Sequence, residues 1–343
     1  MILDQATESD QNEIPRDMEV DDIFGKPISF MYVIVKSIRY LKQHLLDALH
    51  SRKDETGMKD VRWVITVSAL WTDQAKHMRD CAIEAGILED ALSLAYEPEV
   101  EAVFYKQLLV DRDSGANSSI VKESEILMVV DIGGGTADVT EHQEESGKKM
   151  MSTLTVSGGP WGGARVNAAF MSFFKETFGD KVIRRLKKKE TGDYLELIRE
   201  FEVKKRNTDI LKEGKDLIIK LPVALLELYE EINGKSFENS TDCFTLNKDK
   251  MHIKPFKFDS FFRETISNIT EHLKSVLDGD KISVATILMV GGFSECKLVS
   301  DAIKEAFPRQ NPVTPEEAGM AVLKGAVLYG QRPESIATVY KRQ

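Results

Sequence analysis

Apolar and polar positions change period several times along this chain, and the changes lay out its elements. Phe30, Val33, Ile34, Ser37, Ile38, Leu41, Leu45 and Leu49 fall on one stripe at three-and-four spacing. That is the mark of an amphipathic helix, and Pro27 suits its start. After a polar loop from Lys53 to Gly57, the β-branched run Val61-Arg62-Trp63-Val64-Ile65-Thr66-Val67 reads as a buried strand. Thr72 is placed to cap a helix with Ala75, Met78, Ala82 and Ala85 on its apolar face, and Gly86 stops it. A short strand at Leu92-Ser93-Leu94 leads to Glu97-Pro98 and a helix from Glu99 to Leu109. Strand, helix, strand, helix is the order of a parallel sheet flanked by helices.

Residues 111–124 read as a polar loop, and Ile126-Leu127-Met128-Val129-Val130 as a central strand. That strand runs into Asp131-Ile132-Gly133-Gly134-Gly135-Thr136, and a second strand leaves through Ala137 to Glu141. A strand from Ser152 to Val156 ends in the glycine-rich stretch Ser157 to Gly163, before a helix carrying Ala169, Phe170, Phe173 and Phe174. Residues 180–210 are charge-rich and helical, followed by β-type segments at Leu217 to Leu221 and Cys243 to Ile253. A helix from Phe258 to Leu277 precedes the strand Ala285 to Val290, which empties into Gly291-Gly292-Phe293-Ser294. Helices to Phe307 and from Glu316 to Leu328 complete the pattern. Residues 1–24 are acidic and polar with little period, so a flexible leader is expected there.

A length of 343 residues gives room for two lobes around a cleft, each with a core. The formal net charge of −10 argues against general affinity for nucleic acid or acidic membrane, both polyanions. One stretch departs from that balance, Lys181 to Lys189. It reads as a nuclear-localisation or phosphate patch or, more plainly, as the solvated face of a helix. Cys81, Cys243 and Cys296 lie far apart without metal-ligand spacing, which suits a reducing compartment. No basic and apolar signal opens the sequence, and no apolar run nears the ~18 residues that span a bilayer. A cytoplasmic protein is expected.

The chemistry concentrates in Asp131-Ile-Gly-Gly-Gly-Thr-Ala-Asp138. Three glycines leave backbone N–H groups open to phosphate oxygens, and Thr136 adds a hydroxyl donor. Asp131 and Asp138 are placed to hold Mg²⁺ directly or through its waters. A plain glycine hairpin would account for the glycines but not for acids on both sides. Val290-Gly291-Gly292-Phe293-Ser294, a second strand-to-helix junction, lets the chain pass close to a flat base or ribose. It is weak alone and gains weight as the other wall of one cleft. Glu97-Pro98 could orient an attacking water, but a plain helix start accounts for it as well. Glu202-Val203-Lys204-Lys205-Arg206 reads by default as exposed helix charge.

In this order the four segments resemble the nucleotide-binding domain of the 70-kDa heat-shock protein family, nearest to its divergent 12A-like branch. The resemblance runs from about Pro27 to Gly330 and includes Val64 to Ala69, Glu84-Ala85-Gly86, Tyr96-Glu97-Pro98, Gly158 to Gly163 and Pro315 to Gly330. It implies an α/β, actin-like ATPase fold with two lobes around a nucleotide cleft. A partial first lobe would occupy residues 25–124 with the closing helix 315–330. The second-lobe core would be 125–166 with 258–314, its upper subdomain 167–257, and 331–343 a tail. It also implies ATP or ADP with Mg²⁺ as ligands. Gly133, Gly134, Gly135 and Thr136 would touch the β- and γ-phosphates, and Asp131 and Asp138 would order Mg²⁺ and its waters. Glu97 would place the lytic water, making Asp131, Glu97 and Asp138 the catalytic group. Glu202, Lys205, Arg206, Gly291 and Gly292 would grip the nucleoside. Protein partners or co-chaperones are implied too.

The departures bear on turnover. The family opens with a strand, a D-x-G-T-T turn and another strand, and nothing before Val61 matches them. Relative to that pattern the first lobe lacks its N-terminal strands and the site its first phosphate motif and catalytic lysine. Tyr96 stands where the family has asparagine, and Phe293 and Glu295 where it has a small hydroxyl residue and an arginine lying on the base. The reading is therefore ATP binding with hydrolysis weak or absent. A nucleotide-independent interaction scaffold is the alternative, and a sugar-kinase-like phosphotransferase ranks last.

Overall fold

The computed structural model describes residues 16–22, 25–52, 57, 60–68, 74–113, 126–144, 151–238, 240–279 and 284–333. Strands β1 (Glu19–Asp21) and β2 (Pro27–Ser29) pair as an antiparallel hairpin ahead of helix α1 (Phe30–Ser51). The periodicity predicts no element at Glu19–Asp21 and starts the helix at Pro27. Pro27 instead opens β2, a position where its missing N–H costs nothing. The helix begins only after Ser29, whose hydroxyl accepts from the Tyr32 N–H at 3.4 Å.

Strand β3 (Trp63–Val67), helix α2 (Gln74–Glu84) and strand β4 (Leu92–Tyr96) make the predicted crossover, with β3 and β4 parallel. Thr72, the expected cap of α2, lies outside the described residues. Helix α3 (Glu97–Asp113) starts immediately at the end of β4, two residues before the position that the pattern predicts, and runs past Leu109. Most of the expected loop 111–124 is outside the described residues.

Strands β5 (Ile126–Ile132), β6 (Ala137–Glu144) and β7 (Met151–Gly159) form an antiparallel meander. Helices α4 (Gly163–Phe178), α5 (Asp180–Lys189), α6 (Thr191–Lys204) and α7 (Asp209–Lys212) follow, then β8 (Leu217–Lys220), α8 (Val223–Asn233), β9 (Phe244–Asn247) and β10 (Lys250–Ile253). The chain goes on through α9 (Pro255–Ser260), α10 (Arg263–Gly279), β11 (Val284–Val290), α11 (Lys297–Ala306), β12 (Pro312–Val313) and α12 (Ala321–Gln331). The pattern predicts one helix from Phe258 to Leu277; the chain breaks it at Phe261–Phe262, both buried in the core. The five-stranded sheet runs β12-β11-β5-β6-β7, with β11 parallel to β5, and β8-β10-β9 form a small antiparallel sheet.

Packing is unequal across the molecule. Phe170, Phe173, Phe174 and Phe178 share one face of α4 and meet Phe201, Phe258, Phe261 and Phe262 in a continuous core under the five-stranded sheet. Phe170 stacks on Phe201 with ring centroids 3.9 Å apart. Truncating one such ring to alanine costs about 3–5 kcal/mol. Around β3 and β4 the buried apolar residues fall into small separate clusters, such as Val35 with Cys81 and Ala85, and Ala82 with Ile87 and Leu92. Helix α12 returns to close this part: Gly325 lies so tightly on α3 that an added Cβ would sit 1.9 Å from the Val100 carbonyl oxygen.

Candidate functional site

Two pairs of parallel strands, β3 with β4 and β5 with β11, bring their C-terminal ends to one place, where α/β sheets commonly hold ligands. The end of β3 delivers Ser68, whose hydroxyl donates to the Asp138 carboxylate at 3.1 Å. The end of β4 delivers Glu97 at the first position of α3. The end of β5 delivers Asp131, set opposite Asp138 of β6 in the ladder. The end of β11 delivers Gly291, because Val290 is in register with Asp131. Gly291 has φ +84°, and a Cβ there would lie 2.1 Å from the Asp131 carboxylate. Only glycine fits that conformation and that gap.

Between Asp131 and Asp138 the chain turns through Gly133 to Thr136, closed by the Gly133 N–H donating to the Thr136 carbonyl at 2.9 Å. The start of α4 then fixes the turn from one side. Gly162, Gly163 and Ala164 donate to the carbonyls of Gly135, Gly133 and Gly134 at 3.1, 3.1 and 2.7 Å. In a trans peptide the N–H points opposite to the C=O. The N–H groups of Gly134, Gly135 and Thr136 therefore point away from α4, and they have no backbone partner among the described residues. A Cβ on Gly134 or Gly135 would meet nothing within 4 Å, so the space in front of these N–H groups is open. Such a row of aligned donors is an anion cradle.

Acids line the side facing α3. Burial pushes the Glu97 carboxyl up to about 7, helped by the charges of Asp131 and Asp138. Burial and Asp131 bring Asp138 to about 6 against the pull of the Ser68 hydroxyl. Asp131 is raised by burial. Glu101, one helical turn beyond Glu97 on the same face of α3, is fully buried and held well above the carboxylate range by burial, then by Asp131 and Glu97. Neither of its oxygens, nor Asp138 Oδ1, meets a donor in normal hydrogen-bond geometry. Among the described residues no three acidic, histidine or cysteine side chains are arranged to hold a metal directly. The arrangement fits a cation that keeps its waters and takes phosphate oxygens as ligands, as Mg²⁺ does.

The second wall departs from the sequence expectation at one residue. Lys205 is buried, its ammonium donating to the Gly163 carbonyl at 2.8 Å and Asn167 Oδ1 at 3.0 Å and pairing with Glu202 at 2.7 Å. Asn167 also donates to Glu202 at 2.6 Å. Burial lowers the Lys205 ammonium, with Glu202 opposing. Burial would raise Glu202, but its bonds to Lys205 and Asn167 outweigh that and hold it low. Lys205 thus ties α6 to the start of α4. Arg206 remains exposed, 3.6 Å from Glu202. Gly292 is exposed beside Gly291. Sequence reasoning missed Glu101 and Asn167. For Glu101 the signal was present: it stands four residues after Glu97 on one helix.

A profile of the Hsp70 protein family matches residues 39–337. The chain belongs to the Hsp70 family. It is 27% identical over 382 residues to Heat shock 70 kDa protein 12A of Homo sapiens, covering 94% of this chain and 56% of that protein. To Heat shock 70 kDa protein 12B of Homo sapiens it is 26% identical over 375 residues, covering 92% of this chain and 54% of the relative. The mouse 12A protein matches at 27% over 385 residues. The chain spans little more than half the length of these relatives. The Hsp70 assignment gives the fold its class: the actin-like ATPase domain, whose members generally bind ATP or ADP with Mg²⁺.

Proposed function

We propose that this chain binds ATP or ADP with Mg²⁺ at the glycine turn and hydrolyses ATP weakly or not at all. The observation that carries the reading is the outward row of Gly134, Gly135 and Thr136 N–H groups, locked by α4 and fronted by open space. These groups, with Gly133, take the β- and γ-phosphates. Asp131 and Asp138 face the hydrated cation, whose charge would oppose the burial that raises both carboxyls. Glu202, Arg206, Gly291 and Gly292 border the nucleoside. Lys205 enters as the brace that holds the α4 N-terminus against the turn.

One feature supports weak turnover. Phosphoryl transfer depends on donors placed around the phosphates, and residues before Val61 carry no D-x-G-T-T turn to supply a second set. The internal engagement of Lys205 favours, as a second reading, a scaffold that works without nucleotide.

Binding of a fluorescent ATP analogue and Mg²⁺-dependent phosphate release, measured on the wild type, Asp131→Ala and Gly134→Val, separate the two. Saturable binding lost in both variants, with little phosphate released, supports the proposal. Partner interactions that survive both substitutions, with no nucleotide bound by the wild type, support the scaffold instead.

A further inference from the structure

The hydrogen bond from Ser68 to Asp138 joins two sheets that share no strand. Ser68 follows the last residue of β3, and Val67 is in register with Tyr96, so Ser68 comes level with Glu97 at the end of β4. Asp138 stands in β6 of the five-stranded sheet, opposite Asp131 on one side and Gly158 on the other. It is 6% exposed, and its two oxygens have different surroundings. Oδ2 accepts from the Ser68 hydroxyl at 3.1 Å. Oδ1 is buried and meets no hydrogen-bond partner among the described residues. Gly158 makes room for this placement, since a Cβ there would lie 3.0 Å from Oδ1. One oxygen is thus held and the other left bare, which fixes the plane of the carboxylate.

We infer that Ser68 is a positioning residue for the cation: it holds Asp138 by Oδ2 so that Oδ1 is set to take a water of the cation's shell, and it thereby ties β3 to cation binding. The inference rests on the nucleotide reading above and adds to it a residue from the other sheet. An ionised carboxylate only accepts hydrogen bonds, and a buried oxygen without a donor is costly. A water polarised by Mg²⁺ is a strong donor, the partner that Oδ1 lacks. The last torsion of an aspartate is broad. Without the hydroxyl, the carboxylate would therefore turn more freely, and that freedom would be lost again on binding. Coupling of this kind is reciprocal. Whatever factor the hydroxyl adds to cation affinity, the bound cation returns to the Ser68–Asp138 contact. Strand β3 is bonded only to β4 among the described residues, so its opening is where that return is read.

Titration of Mg²⁺ into the intact chain with a fluorescent ATP analogue tests this, on the wild type, Ser68→Ala and Ser68→Thr. Amide exchange in Trp63–Val67, followed with and without Mg²⁺ and nucleotide, gives a second readout. The Mg²⁺ concentration at half effect should rise about fivefold or more in Ser68→Ala, the order that one hydrogen bond to a charged group carries. It should stay within about twofold in Ser68→Thr, which keeps the hydroxyl. Mg²⁺ and nucleotide should slow exchange across β3 in the wild type, and the slowing should shrink by about the same factor in Ser68→Ala. An unchanged Mg²⁺ midpoint in Ser68→Ala, an equal rise in Ser68→Thr, or equal slowing of β3 exchange in the wild type and Ser68→Ala would each overturn the inference and leave the nucleotide reading standing. A lower melting temperature in Ser68→Ala without a shifted Mg²⁺ midpoint marks a merely structural bond and overturns it too. No nucleotide binding by the wild type at any Mg²⁺ concentration would remove both readings.

Discussion

At the residue scale the glycines divide into two kinds, and the division separates stability from binding. Gly162 and Gly291 are required by the fold. A Cβ on Gly162 would lie 2.6–2.8 Å from the backbone of Gly133, Gly134 and Gly135. Gly162→Ala should therefore destabilise the chain by about 1–3 kcal/mol, the usual cost of overpacking, read as a lower denaturation midpoint. Gly134 has ordinary backbone angles and open space. Gly134→Val should leave that midpoint within about 0.5 kcal/mol while removing nucleotide binding. Protons give a second prediction at this scale. Glu97 rises from 4.5 to about 7 on folding and Asp138 from 3.8 to about 6. The folded chain therefore holds protons that the unfolded chain releases, and folding takes them up. Their stabilisation is full below about pH 4, is lost as pH rises through 6 and 7, and is level above. Thermal melts of the wild type and Glu97→Gln between pH 4 and pH 8 check it: the wild type should lose more stability across that window than the variant.

At the element scale, helices α4 and α6 form one rigid unit through Lys205, and this unit sets the carbonyls of the glycine turn. Lys205→Met leaves Glu202, Asn167 and the Gly163 carbonyl short of a donor. The expected cost is about 1–3 kcal/mol, measured by urea unfolding, together with weaker nucleotide binding although Lys205 does not face the ligand. Elements with a long apolar stripe, such as α1 and α4, and the β-branched strands β3, β5 and β11 were legible in the sequence. Others were not, for physical reasons. The three-residue strands β1 and β2 are too short to show a period. The break between α9 and α10 carries Phe261 and Phe262, apolar residues that continue a helical stripe by eye and reveal the break only once both are packed. Helix α8 was readable in principle, with Pro222 before it and Gly234 in a left-handed cap after it.

At the scale of the whole molecule, motifs were legible where they were contiguous, as in Asp131 to Asp138. The assembly of the site was not. Ser68 meets Asp138 across 70 residues of chain, and Gly291 packs on Asp131 only because β11 and β5 are parallel and in register. The same topology makes the two sides unequal. Strand β5 is bonded on both sides in the five-stranded sheet, whereas β3 is bonded only to β4 among the described residues. Amide exchange should therefore be slowest in Ile126–Ile132 and faster by orders of magnitude in Trp63–Val67, because opening β3 breaks one ladder over small clusters. Comparable protection in the two strands would contradict that asymmetry. The central claim, that a locked glycine turn presents its N–H groups to a nucleotide's phosphates, is tested most directly by titration calorimetry of Mg-ATP into the wild type beside Gly134→Val. The account predicts saturable one-to-one heat at sub-millimolar nucleotide for the wild type and none for the equally stable variant. No heat from the wild type, or equal heat from both, would contradict it.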